Sequence, residues 1–357
     1  MHTADTITEV DMAVSPAQKE APTPATDVPP AQEAASRPRF RLTSATVTDL
    51  LIRYAMVWIM VLIMAYFSYR SARFATAENL LTILVAAAPF ALIALGQTLV
   101  ILTGGIDLSV GSVIAVSAMA SAYVAKNVTD NVGMALLVAL LVGLVCGALS
   151  GVLVSVVHVP PFIATLGVMT AASGFAYVIG NGAPINGLPR SFGAIANTKV
   201  MGLTVPVLTM ILGIIVVAVL MKRTTYGMQV YAVGGNEQAA RIAGVRTKGI
   251  LFSVYAISGT LAGLSGLMLA SRVISGPPNL GTGYELDAIA AVVIGGASLS
   301  GGRGSIWGTV IGLFLIQTLN NGLDILIVPA YWQKVVKGLL IVTAVAIDVW
   351  STRRRAS

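Results

Sequence analysis

Two histidines, His2 and His158, and one cysteine, Cys146, are the only imidazole and thiol groups in the chain. A Cys-based metal cluster, an intrachain disulfide and a histidine proton relay are therefore excluded, and no catalytic or metal site is expected. No glycine-rich phosphate loop ending in Gly-Lys-Ser or Gly-Lys-Thr occurs either, so the chain does not cradle nucleotide phosphates in that way. The stretch that can do chemistry is Gly104-Gly105-Ile106-Asp107-Leu108-Ser109-Val110-Gly111-Ser112, set between two apolar runs. Paired glycines, an acid and two serines at membrane depth survive only where they line a cavity or pack inside protein, which predicts a broken helix. Asp107 has two readings. It can cap the following helix through its side-chain oxygen, at the positive end of the helix dipole, or it can touch solute or ions directly.

Two further segments stand out. Gly295-Gly296-Ala297-Ser298-Leu299-Ser300-Gly301-Gly302 echoes the first motif at both glycines, the Leu-Ser pair and the final glycine, as an internal repeat would. Chance likeness between Gly/Ser-rich loops explains it as well. Residues 222–248 form a polar connector too hydrophilic to span. Within it, Asn236 can start a short helix that runs to Ala243 and that Gly244 can end. Such a helix suits a soluble partner; the alternative is a solvated linker.

The elements that hold these motifs are set by composition. Of 357 residues, 56% are hydrophobic and only 10% charged, against roughly a quarter charged in soluble domains. The mean hydropathy is +0.85. The bilayer is the expected solvent. The net charge of +7 could suggest nucleic acid, but no water-facing basic domain carries it, so no nucleic-acid partner is expected. Residues 1–44 contain no glycine, six prolines and mixed charges. They read as a disordered cytoplasmic tail, uncleaved, because no basic start precedes an apolar stretch and Arg37 is the first arginine.

Spanning ~30 Å of hydrocarbon takes roughly 20 apolar residues. Candidates are 50–69, 80–102, 108–125, 132–157, 162–180, 203–221, 249–271, 286–297, 306–319 and 335–350. The expected fold is thus an all-α integral membrane protein of about ten transmembrane helices, occupying 45–352, with a basic C-terminus at 353–357. Ten spans put both ends on one side, together with Arg37, Arg39, Arg41, Lys222, Arg223, Arg241, Arg246, Lys248, Arg303, Arg353, Arg354 and Arg355. Opposite them lie only Arg70, Arg73, Lys126, Arg190, Lys199 and Arg272. Positive loops stay inside, so both termini are expected in the cytoplasm. Gly143, Gly147 and Gly151, spaced by four, predict a close helix contact.

The runs "GQTLVILTGGIDLSVGS", "PPFIATLG", "AVGGNEQAARIAGV" and "VIGGASLSGGRGS", in this order, resemble the permease subunits of ribose-, xylose- and galactose-type ATP-binding-cassette importers. The likeness covers roughly 50–350. It implies an importer permease bundle in a bacterial inner membrane that pairs with a second permease copy. It also implies an extracytoplasmic solute-binding protein that delivers a sugar and a separate ABC ATPase subunit that hydrolyses ATP, this chain binding no cofactor. By similarity, Gly235, Glu237, Ala240, Arg241 and Gly244 fall in the segment coupled to the ATPase. Gly104, Gly105, Asp107, Ser109 and Gly111 fall in the first membrane signature.

A sugar path needs neutral, weak hydrogen bonders. Besides the first motif, candidates are Gln97 and Ser109 near the centre, Tyr177, Asn181 and Asn186 at one end, and Asn320 and Asn321 in the ninth span. Each could equally be a helix-packing hydrogen bond. The competing function is an ion-coupled secondary transporter using Asp107; such a transporter would not require the connector helix, which the ATP-driven reading accounts for.

Overall fold

Helices make up about three quarters of the computed structural model, which describes residues 55–356. The expected tail, 1–44, the start of the first expected span and Ser357 lie outside them. In chain order the helices are α1 (Ala55–Arg70), α2 (Ala77–Leu102), α3 (Val110–Asn127), α4 (Val132–Ser155), α5 (Pro161–Ile179), α6 (Arg190–Asn197), α7 (Val205–Arg223), α8 (Thr225–Gly235), α9 (Glu237–Ile242), α10 (Thr247–Val273), α11 (Tyr284–Ile294), α12 (Ile306–Ile325) and α13 (Ala330–Ala356). Between α6 and α7, β1 (Lys199–Val200) and β2 (Leu203–Thr204) pair antiparallel. A helix stands at each of the ten expected places. Six of them, α2, α4, α5, α7, α10 and α12, are long and apolar enough to cross a membrane.

Two helices form the centre, and their sequences say why. α2 has 26 residues, about 39 Å at 1.5 Å per residue, and from Ala87 to Leu102 every side chain is buried. Small residues on α10 let α4 come close. A β-carbon at Gly147 would sit 3.0 Å from the Gly259 Cα, and one at Gly263 would sit 3.1 Å from the Gly143 Cα. A β-carbon at Gly151 would likewise sit 2.8 Å from Phe252 O. The glycine stripe read in the sequence is therefore one half of an α4–α10 backbone contact, held by dispersion because lipid offers no hydrophobic drive between helices.

The faces turned away from this centre are apolar. Leu137, Leu141, Val145 and Leu149 on α4, Phe175 and Val178 on α5, and Leu212, Ile215 and Val219 on α7 are all exposed. In water such a surface would aggregate, and in a bilayer it is a lipid belt.

The eighth expected span differs from expectation. α11 has only 11 residues, about 17 Å, short of the ~30 Å hydrocarbon core. It is buried from Asp287 to Ile294 rather than lipid-facing. Its one acid inside that stretch, Asp287, pairs with Lys337 of α13 at 2.8 Å, the two side chains being 11% and 25% exposed. Lys337→Met would leave that carboxylate without its cation. The expected loss is about 2 kcal/mol, below the roughly 3–5 kcal/mol of a fully buried pair because water still reaches the lysine. A thermal melt in detergent checks it, and adding Asp287→Asn should recover part of the loss.

Candidate functional site

The connector folds as local rules dictate. Asn236 caps α9, its Oδ1 accepting from Ala239 N at 2.9 Å. At the other end, Gly244 N donates to Arg241 O at 3.1 Å and Val245 N to Ala240 O at 3.0 Å. That closure puts Gly244 at φ +85°, where a β-carbon would be strained. Ala240 is buried beneath the helix, while Glu237, Arg241, Gly235 and Gly244 face water. Sequence reasoning missed Ile242, which is 87% exposed. An apolar side chain standing free on a polar helix is available for contact, and nothing in the sequence distinguishes it from the buried isoleucines nearby.

Directly before α9, the end of α8 meets both glycine motifs. A β-carbon at Gly234 would lie 2.6 Å from Gly302 N and closer still to Leu102 O. One at Gly301 would lie 2.7 Å from Gly234 O and 2.8 Å from Gly104 N, and one at Gly302 would lie 2.9 Å from the Gly235 Cα. Gly302 N donates to Leu102 O at 2.9 Å, and Tyr231 of α8 donates its hydroxyl to Gly304 O at 3.0 Å. Three segments far apart in sequence thus touch backbone to backbone, a contact only glycine permits.

The two motifs end their helices alike, with a shift. Gly104 N reaches Ile101 O (2.9 Å) and Gly105 N reaches Val100 O (3.1 Å), closing α2. Gly296 N reaches Val293 O (2.9 Å) and Ala297 N reaches Val292 O (3.1 Å), closing α11. Gly104 therefore matches Gly296, one place off the sequence alignment that pairs it with Gly295. The echo marks the same helix stop rather than a repeat in register.

Beside the junction sits Asp107, 0% exposed. Its Oδ1 accepts from Ser109 N at 2.9 Å and from Ser109 Oγ at 2.6 Å, and its Oδ2 accepts from Ser258 Oγ of α10 at 2.9 Å. Gln97 brackets its backbone, donating to Asp107 O at 3.0 Å and accepting from Asp107 N at 3.3 Å. Thr165 Oγ1 of α5 donates to Ile106 O at 3.2 Å. The motif is thereby tied to α2, α3, α5 and α10 at once. Ser258 was invisible in the sequence, being one serine among several in an apolar helix.

A cavity of about 280 Å³ opens between this motif and α9. It is lined by Gly104, Gly105, Ser155, His158, Glu237 and Tyr255. His158 holds φ +64°, a left-handed backbone uncommon for a residue with a β-carbon.

Of the expected path residues, Gln97, Gly104, Gly105, Asp107 and Ser109 form this one cluster. The others do not join it. Tyr177 is 44% exposed near the end of α5. Asn181, at φ +48°, turns the chain after it, and Asn186 accepts from Ser275 Oγ at 2.7 Å. Asn321 and Asn79 exchange two 2.9 Å hydrogen bonds that pin α12 to α2, while Asn320 Oδ1 is buried without a partner.

A many-helix bundle with an apolar outer belt and an exposed connector helix has the architecture of a polytopic membrane protein. The chain belongs to the family of branched-chain amino acid transport system / permease component proteins, whose model matches residues 79–345. It is 46% identical over 272 residues to the ribose import permease protein RbsC of Bacillus subtilis (strain 168), covering 76% of this chain and 84% of that one. It is 42% identical over 295 residues to RbsC of Escherichia coli (strain K12), covering 81% and 91%. Against the D-allose transport system permease protein AlsC of the same strain it is 37% identical over 297 residues, covering 83% and 91%. No solved structure matches the chain.

Proposed function

We propose that this chain is the membrane permease of an ATP-driven importer that carries a monosaccharide into a bacterium. Relatives whose names refer to ribose, D-allose and L-arabinose support the substrate class. In this reading a separate ABC ATPase docks on α9, an extracytoplasmic binding protein delivers the sugar, and a second copy completes the pore. By the same reading the chain crosses ten times, the eighth crossing made by α11 together with the segments that flank it because α11 alone is too short, and residues 1–44 and 353–357 are both cytoplasmic. It hydrolyses no nucleotide itself.

One observation carries the reading. The exposed helix α9 continues, through Gly234 and Gly235, into backbone contact with both Gly-rich motifs. A push on Glu237, Arg241 or Ile242 reaches Gly104 and Gly301 without a flexible side chain in between, because close-packed backbone transmits displacement instead of absorbing it. The first motif would then shift against α10 and open or close the path that includes Gln97, Asp107, Ser109, Tyr177, Asn181 and Asn320.

The test is a triple replacement, Glu237→Ala, Arg241→Ala and Ile242→Asp. All three side chains are exposed, so the melting temperature should hold. Affinity for the co-purified ATPase should fall by about 30-fold, the loss of one interface hot spot worth ~2 kcal/mol. ATP-driven sugar uptake should fall with it. Undiminished co-purification would place the docking surface elsewhere.

A further inference from the structure

At the end of the bundle away from α9, two cavities share a wall. One, of about 290 Å³, is lined by Glu78, Thr82, Lys199, Thr204 and Arg272, with Leu81 and Leu84 on its inner side. The other, of about 570 Å³, is apolar and lies between α1, α2 and α12, lined by Met60, Met64, Val310 and Phe314 and by the same Leu81 and Leu84. The polar cavity sits where three apolar spans begin or end, at Ala77, Val205 and Val273. That is the level of the membrane interface. The groove runs inward from it, from Thr318 to Val310, about 12 Å along α12 at 1.5 Å per residue.

We propose that this pair of cavities binds one glycerophospholipid with an ethanolamine headgroup. An amphiphile with its polar end at the interface and a chain running down the bilayer would occupy the two adjoining cavities, passing over the Leu81 and Leu84 wall that they share. The charges choose the headgroup. Lys199 and Arg272 suit one phosphate, and Glu78 suits one ammonium. Among the described residues the one ion pair joins Lys337 and Asp287, so these three charges are not spent on each other. Thr204 lines the same cavity, and its hydroxyl, which has no protein partner, would donate to a phosphate oxygen after a rotation of the side chain. Sugar carriage is not assumed: the site needs only a lipid-embedded chain. The lipid would seal α1 against α2 and α12, where side chains alone leave a groove.

Native mass spectrometry of the detergent-purified full chain tests the site, with phosphatidylethanolamine, phosphatidylcholine and diacylglycerol offered separately. One phosphatidylethanolamine per chain should survive activation that strips the other two. Phosphatidylcholine carries three methyls where Glu78 would take hydrogen bonds, and diacylglycerol has no phosphate. Lys199→Gln with Arg272→Gln should weaken retention roughly thirtyfold, the worth of two interfacial cations. Glycerophosphoethanolamine without acyl chains should not compete, which separates a lipid from a free phosphate. Equal retention of all three lipids by the native protein would overturn the proposal, and so would an unchanged double variant. A dimer that covers the groove and forms equally with and without added lipid would overturn it too, by giving the groove to a second copy. The native-protein comparison stands even if the double variant fails to fold.

Discussion

Gly259→Val is expected to leave almost no monodisperse protein after detergent extraction. Gly259 faces Gly147 across the α4–α10 contact, where a β-carbon would lie 2.6 Å from the Gly147 Cα and nearer still to Gly143 O. Its neighbours are backbone, so no rotamer change makes room and the two helices must part. Parting them costs more than the local clash, because Gly143, Gly147, Gly151 and Gly263 lose their contacts together. A destabilisation of at least about 3 kcal/mol is expected, the upper end for overpacking. The control lies on another helix of the same bundle. Gly167 and Gly174 of α5 have no atom within 4 Å of a β-carbon position, so Gly167→Val and Gly174→Val should extract and elute as the native protein does. Size-exclusion profiles of the three variants decide the matter, and equal profiles would mean that α4 and α10 do not touch through their glycines.

At position 107, asparagine and leucine should behave in opposite ways. Leucine removes both carboxylate oxygens and strands Ser109 N, Ser109 Oγ and Ser258 Oγ in a site closed to water. At roughly 1–3 kcal/mol for each buried group left unpaired, a loss of at least about 3 kcal/mol is expected, with uptake abolished. Asparagine keeps an oxygen for Ser109, and its amide can donate to the Ser258 hydroxyl, which turns to accept. ATP-driven uptake should therefore stay within about threefold of native, a cost below ~1 kcal/mol. An ion-coupled transporter would lose its driving charge with the same asparagine. Vesicle uptake with ATP withheld and an ion gradient imposed separates the two functions directly: accumulation under those conditions would sink the ATP-driven reading.

Much of the architecture is legible in the order of residues alone. The ten apolar runs each became a helix because lipid cannot satisfy backbone polar groups, so an apolar segment has to satisfy its own. Asn236 and Gly244 delimit α9 through contacts made within a few residues, which is why local chemistry found them. Gly143, Gly147 and Gly151 share a face by spacing alone. The length of α11 was less legible: an apolar run in sequence does not say whether it crosses the bilayer or stops inside the bundle, and the stop at Gly296 looks like any other Gly-Gly pair.

What the sequence determined by itself is therefore the solvent, the helices and their caps, all of which follow from interactions within one segment or between a segment and lipid. Tertiary structure alone decided which partners those segments take. Ser258 lies 151 positions from Asp107, and the meeting of Gly104, Gly234 and Gly301 joins three regions whose spacing carries no common period. Glycine announces that a backbone can come near, but the absence of a side chain cannot name the neighbour. That choice was made by the packing of the whole bundle, where each close approach is possible only because the others have already set the helix positions.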